Sequence, residues 1–495
     1  MEGFLLKPIA PHLIVIAAGC LVLLMRAYGK KTSAGASGAV TLASLVLALA
    51  ASVFLHGDAA KSAFSGMVVD DNFSLLVTVL VLFSGILCVM LSFDYLKRIG
   101  IAQAEFYSLV LFAVSGMMFL GSASDLVTVF LGVEIMSISI YVLVGFNRGR
   151  MESTEAALKY LILGAFASGF LLYGIAMIYG ATGTTNIAQV AEFFKTHGPS
   201  QISPLFMVGL ALLVIGFGFK IGAAPFHMWV PDVYQGAPTS ITAFMATGVK
   251  AAGVAVVVRV LMFAFPESMD RWVPLIQLLA MVTMTVGNIA ALTQKNLKRM
   301  LAYSSIAHAG YILVGLAAVY SQGFAEKAVS AVFFYLLAYT VMNIGAFAIM
   351  ILLGRDSDEY ENIDDYKGLA QRRPWAAFFL ALFLLSLAGI PPTAGFAGKF
   401  YVFTAAMRAG FVALVIIGVL NSALSAYYYL RPLIIMYMSD PDADIVENTE
   451  RRPALIVAIG VTAVLTLELG MGLLAYLAGG GSYYEMISGY LARVM

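Results

Sequence analysis

Charge is what this sequence has least of. Only 12% of its 495 residues are Asp, Glu, Lys or Arg, and the formal net charge is +1; globular domains carry about 25%. The balance excludes the basic footprint of a nucleic-acid binder and the surface of an ordinary water-soluble domain. Cysteine is nearly absent. Cys20 and Cys88 both lie in apolar runs, where each is expected to be a buried small hydrophobe, not half of a disulfide or a metal site. No CxxC cluster offers ligands to iron and sulfur, the five histidines form no facing pair for a haem, and no GxGxxG follows a strand. The expectation is that this chain holds no cofactor, and that any electrons powering it flow in a partner.

What fills the sequence is apolar. Hydrophobic residues make up 61%, and runs long enough to cross a bilayer recur from end to end, which marks an all-α polytopic membrane protein. Spans are expected at 8–25, 39–55, 72–93, 106–121, 125–146, 153–179, 204–230, 238–263, 273–293, 301–320, 328–353, 374–409, 411–437 and 454–478, about 14 transmembrane helices. Ala17-Ala18-Gly19-Cys20 faintly resembles a lipoprotein cleavage site, but its apolar run continues to Met25, too long for a typical signal segment. The loops after odd-numbered spans hold 16 of the 29 Lys and Arg residues, the other side 7. By the positive-inside rule the odd loops are cytoplasmic and both termini face outward.

Six basic residues remain inside spans: Lys159, Lys220, Lys250, Arg259, Lys399 and Arg431. Arg259 and Arg431 lie near span ends and are expected to snorkel to the interface. The four lysines lie deeper, where a charge costs at least about 2–3 kcal/mol. Such side chains must face the bundle interior and find a partner or water. Glu134, deep in FLGVEIMSISIY, is the clearest partner for Lys159 on the next span; a local pair with Glu155, four residues earlier on the same helix, is the alternative.

Two spans are broken. Gly216–Ser240, GFGFKIGAAPFHMWVPDVYQGAPTS, carries Lys220 into an apolar run, breaks at Pro225, places His227 beyond, and breaks again at Pro231 and Pro238. Leu385–Phe400, LSLAGIPPTAGFAGKF, breaks at Gly389, Pro391 and Pro392, with Lys399 after the break. Proline removes a helix hydrogen bond and kinks the rod, and backbone freed in a membrane must be buried in protein or line a wet cavity. These are spans seven and twelve, five apart. The chain therefore divides into 1–105 (helices 1–3), 106–263 (helices 4–8), 273–437 (helices 9–13) and 454–495 (helix 14), with the two five-helix units inverted relative to each other. Inverted repeats with broken helices at matching places are a mark of ion transport. His308, inside span ten, reads either as a histidine bonded to a neighbouring carbonyl or as a proton relay. Glu468 in span fourteen receives no role. A row of buried lysines and histidines ending in a carboxylate is a set of coupled titrations; it offers mostly nitrogen, where sodium needs clustered oxygens. A proton path is the expectation, with an ion-driven antiporter and a purely structural charge lattice as alternatives.

The stretches FKIGAAPFHMWVPDVYQGAPTSITAF, NLKRMLAYSSIAHAGY and LSLAGIPPTAGFAGKFYV resemble the antiporter-like membrane subunits of respiratory complex I, in the form of the N type, over nearly the whole chain and most strongly from Phe130 to Arg431. The wider family includes the sibling M and L types and the Mrp-type cation/proton antiporters. Lys399 fits the N type, since the M type carries a glutamate there, and the chain ends too soon for the lateral helix of the L type. The resemblance implies that Glu134 and Lys159 are the charged pair of the first half and that Lys220 is its proton-translocating lysine. It implies that Lys250, with His227 and His308, bridges to the second half, and that Lys399 leads outward. It also implies K-type and M-type neighbours in a bacterial inner membrane, with NADH, FMN, iron–sulfur centres and quinone held by partner subunits.

Overall fold

The computed structural model describes residues 7–28, 34–57, 60–197, 203–320, 324–354, 361–441, 452–477, 485 and 489. Of the loop charges used to orient the chain, Lys30, Lys31, Arg355, Arg451 and Arg493 lie outside the described residues, as does most of the segment after Leu477.

Helix dominates because a chain this apolar can satisfy its backbone in lipid only within each segment. The first elements are α1 (Ala10–Tyr28), α2 (Ala34–Leu55), a short hairpin β1 (Lys61–Ala63) and β2 (Val68–Asp70), α3 (Asn72–Arg98), α4 (Ala104–Ser122), α5 (Leu126–Val144) and α6 (Met151–Thr182). Next come the surface helix α7 (Ile187–His197), α8 (Pro204–Ile221), α9 (Trp229–Gly236), α10 (Thr239–Phe244) and α11 (Lys250–Ala264). The remainder is α12 (Met269–Leu292), α13 (Leu297–Ala317), α14 (Ala325–Leu353), the short α15 (Leu369–Arg372), α16 (Pro374–Ala388), α17 (Ala394–Arg408), α18 (Val412–Met438) and α19 (Pro453–Leu477). Among the described residues, 13 helical stretches are long and apolar enough to cross a membrane. Most of their bounds follow the expected spans closely. The expected seventh and twelfth spans are exceptions: α8 stops at Ile221, short of residue 230, and α16 and α17 divide the twelfth into two half-helices.

Ends are set by local chemistry. Asp71 caps α3 by accepting from Ser74 N at 2.7 Å, and Ser203 caps α8 ahead of Pro204. Gly222 and Gly389 end α8 and α16 with left-handed φ of 72° and 88°, a conformation glycine adopts without a Cβ clash. Between α10 and α11, residues Met245–Val249 form one π turn directly before Lys250. Helical pattern gave no warning of it, because the whole span is buried and has no polar face to lose phase.

Burial sorts the helices. Thr239–Ala264 is wholly buried, and Leu297–Tyr320 and Ala325–Leu353 nearly so, whereas only about a third of Met151–Thr182 is. The inner set thus brings α10, α11, α13 and α14 together, with α6 and α18 outside. α12 and α13 approach each other closely. A Cβ on Gly287 would lie 2.5 Å from Ala307 N, and one on Gly310 would lie 2.6 Å from Met284 N. Gly287→Ala must push two backbones apart, so it is expected to cost about 1–3 kcal/mol, read as a lowered melting temperature of the purified protein in detergent.

Two expectations are corrected here. Cys20 is exposed on α1, because none of the described residues covers that face; Cys88 is a buried hydrophobe. Arg259 does not snorkel. It is 4% exposed and makes a two-pronged ion pair with Asp71, at 2.7 and 2.9 Å, while donating to Gly121 O at 2.9 Å. A carboxylate carried on the next helix cap removes any need to reach the interface.

Candidate functional site

The first break lies between α8 and α9. At the end of α8, Gly222 N and Ala223 N return to Phe219 O and Gly218 O, and Trp229 Nε1 donates to Phe219 O at 3.0 Å. Ala224 N, which no helix can satisfy here, donates to Thr283 Oγ1 of α12 at 3.0 Å. Lys220 stands in the last turn of α8, 3% exposed. Its Nζ donates to Ser137 Oγ of α5 at 2.8 Å and lies 5.8 Å from the centre of the Tyr141 ring. Glu134, one turn before Ser137 on α5, is close enough for its charge to act on that ammonium, and it accepts a 2.5 Å hydrogen bond from Ser168 of α6.

Lys250, also 3% exposed, follows the π turn. Its Nζ donates to Ser305 O of α13 at 2.5 Å and to Ser305 Oγ, and it sits 5.6 Å from the Tyr339 ring centre. One turn along α13, His308 bridges two phenols, with Nδ1 2.7 Å from Tyr335 Oη and Nε2 3.1 Å from Tyr429 Oη. The charges of both Lys250 and Lys399 reach it. Tyr429 in turn pairs with Ser304. His308 is therefore bonded to phenols and not to a neighbouring carbonyl.

The second break is built differently. Gly395 N is satisfied by Ser386 Oγ at 3.1 Å, and Lys399, in the second half-helix, reaches back across the break. Its Nζ donates to Ala388 O at 2.7 Å, Leu387 O at 3.3 Å and Ser422 Oγ of α18 at 2.9 Å. The ammonium thus caps the carbonyl end of α16, where the helix dipole favours a cation. Lys220 precedes its break and Lys399 follows its own, so the two lysines do not occupy matching positions. Lys399 also borders a cleft of about 710 Å³ between α17 and α18, lined mainly by apolar side chains such as Phe396, Phe400 and Phe403.

Two of the seven residues singled out in the sequence stand apart. Lys159 does not pair with Glu134. It is exposed, and its Nζ binds Glu155 at 2.7 Å and Asp232 of α9 at 2.9 Å. The two depths matched, but α6 turns Lys159 to its outer face. Asp232 also binds Arg299 at 2.7 Å; partial burial works against ionisation, but the bonds from Lys159 and Arg299 hold the carboxyl below its usual range. His227, half-buried in the connection after Pro225, makes no hydrogen bond to Lys220, Lys250 or His308 among the described residues. Glu134 lies within electrostatic reach of Lys220, and His308 within reach of Lys250 and Lys399. Sequence reading missed their hydroxyl partners, Ser137, Ser305, Ser422, Tyr335 and Tyr429, since serine and tyrosine are unremarkable in apolar spans; YSSIAH and SAYYYL are the places to have looked. It also missed Lys298, counted as a loop charge but fully buried with Nζ 2.7 Å from Ala237 O. Among the described residues no group of three His, Cys, Asp or Glu side chains could hold a metal ion.

Comparisons with known proteins identify the family. The family profile described as NADH:quinone oxidoreductase/Mrp antiporter, transmembrane, matches residues 123–425. NADH-quinone oxidoreductase subunit N of Trichlorobacter lovleyi is 48% identical over 87% of each chain. A chain of respiratory complex I from Thermus thermophilus is 35% identical and superposes with a TM-score of 0.76, covering 94% of this chain and 98% of that one. A chain of the Mrp complex from a Dietzia species superposes at 0.82 over 99% and 97%, but at 23% identity it shares the fold alone. The chain belongs to the NADH:quinone oxidoreductase/Mrp antiporter transmembrane family, on its subunit N branch.

Proposed function

We propose that this chain is a proton-translocating membrane subunit of an NADH:quinone oxidoreductase, passing protons along Glu134, Lys220, Lys250, His308 and Lys399 while sibling subunits carry out the redox reaction. The observation that carries it is the state of the three lysines. Each is at most 4% exposed, and among the described residues none has a carboxylate within ion-pair distance. A structural charge in a membrane interior is normally paired; a lysine held only by neutral oxygens can exist as ammonium or amine. Glu134 sits at one end of the row and the cleft beside Lys399 at the other.

The lysine row and the two breaks support two inverted five-helix units, 106–263 and 273–437, with the succession running between them. The bias of loop charges supports a bacterial inner membrane with both termini on the periplasmic side, and the subunit N likeness supports K-type and M-type neighbours. NADH, FMN, iron–sulfur centres and quinone belong to other subunits of the complex. Each charge moved outward works against about 2.3 kcal/mol per 100 mV of membrane potential. The Mrp-type antiporter reading rests on the shared fold and has the weaker identity.

Lys220→Ala tests the proposal. With assembly of the complex verified, NADH-driven quinone reduction and proton pumping are both expected to fall at least about a hundredfold, the lower end of what a positioned proton donor contributes. Unchanged coupled activity would make Lys220 a structural charge. Loss of assembly would support the lattice alternative, and sodium-driven proton exchange without NADH would support the antiporter.

A further inference from the structure

Every buried lysine of the row ends on a serine hydroxyl of a different helix. Lys220 of α8 donates to Ser137 of α5, Lys250 of α11 to Ser305 of α13, and Lys399 of α17 to Ser422 of α18. The three pairs lie on three separate helix pairs, so one local sequence accident does not explain them. The remaining polar contacts of these Nζ atoms are backbone carbonyls: Ser305 O for Lys250, and Leu387 O and Ala388 O for Lys399. A carbonyl can only accept. An ammonium has three N–H donors, but the amine left when its proton departs has two donors and one lone pair. A lone pair facing a carbonyl finds no donor there.

A hydroxyl is the one partner here that can take either role. We propose that Ser137, Ser305 and Ser422 are positioning residues for proton transfer, each turning its hydroxyl to accept from the ammonium or donate to the amine of its lysine. The inference rests on the reading of Lys220, Lys250 and Lys399 as proton carriers. No serine gains or loses a proton: its O–H rotates while the lysine exchanges with the next group. At two of the three sites another partner for the hydroxyl is in place while the lysine is charged. Ser137 Oγ donates to Val133 O at 2.5 Å, and Ser305 Oγ lies 3.4 Å from Tyr234 Oη. At Lys399 the count closes in both states. The ammonium gives its three N–H groups to two carbonyls and Ser422; the amine gives two to the same carbonyls and receives one from Ser422. The backbone of the second break need not move when the proton does.

The test compares Ser→Ala and Ser→Thr at each position, in the assembled complex, by NADH-driven proton pumping, with Lys→Ala variants run alongside. Each alanine is expected to slow pumping about tenfold, the equivalent of one lost hydrogen bond to a charged group at about 1.4 kcal/mol, and threonine, which keeps the hydroxyl, to restore most of the rate. Rescue by threonine is the readout a packing role would not produce. Alanine variants pumping at the unmodified rate, threonine as impaired as alanine, or alanine variants that fail to assemble would each overturn the inference. Full activity in the Lys→Ala variants would instead overturn the parent reading; loss there with normal Ser→Ala variants would sink this inference alone.

Discussion

Asp71→Asn is expected to cost the folded protein about 3–5 kcal/mol, the penalty for leaving a buried charge without its counterion. The substitution is selective. Asn keeps an oxygen able to cap α3 at Ser74 N, so the helix start survives. What it removes is the charge facing Arg259, whose guanidinium is enclosed by Asp71, by the Gly121 carbonyl and by the rings of Phe73 and Phe263 at 4.5 and 5.2 Å from their centres. At 4% exposure the guanidinium is largely cut off from solvent. Replacing both partners with apolar residues, as in Asp71→Leu with Arg259→Leu, is expected to recover much of the loss, because a buried ion pair often does no better than a well-packed apolar pair. The measurement is the yield and thermal melting of the protein in detergent. A single variant as stable as the unmodified protein would mean that Arg259 finds another partner.

Lys250→Arg is the second. It is expected to lower NADH-driven proton pumping as far as Lys250→Met does, at least about a hundredfold. Arginine preserves the positive charge beside Ser305, but it does not release its proton in a protein. If the charge at this position served only to set the electrostatics around His308, arginine would substitute for lysine and methionine would not. The pair of variants therefore separates a fixed charge from an exchangeable proton. Assembly is checked first, since the guanidinium is larger than the ammonium it replaces.

Much of this architecture was legible in the sequence because lipid imposes one strong rule. Apolar runs gave the spans, and Pro225, Pro391 and Pro392 gave the breaks, since proline acts on its own backbone whatever surrounds it. Depth along a span was legible too, which is why Lys250 could be placed near the middle. Direction around a helix was not. Lys159 and Lys220 are equally anomalous by composition, yet one faces outward to Asp232 and the other inward to Ser137. In helices apolar on every side, the pattern that tells inside from outside in a soluble helix is missing. Long-range partners were hidden for the same reason: Asp71 and Arg259 are 188 residues apart, and neither position alone suggests the other.

The hydrogen bond from Ala224 to Thr283 has a consequence for how α8 and α12 can move. Ala224 belongs to the break between α8 and α9, and Thr283 to α12. In water either group could swap partners at little cost, but in a membrane core an amide without an acceptor is expensive. α12 thus completes the backbone of the bend that carries Lys220. A tilt of α12 must either take the bend with it or strand an N–H, so the helix and the bend are geared together.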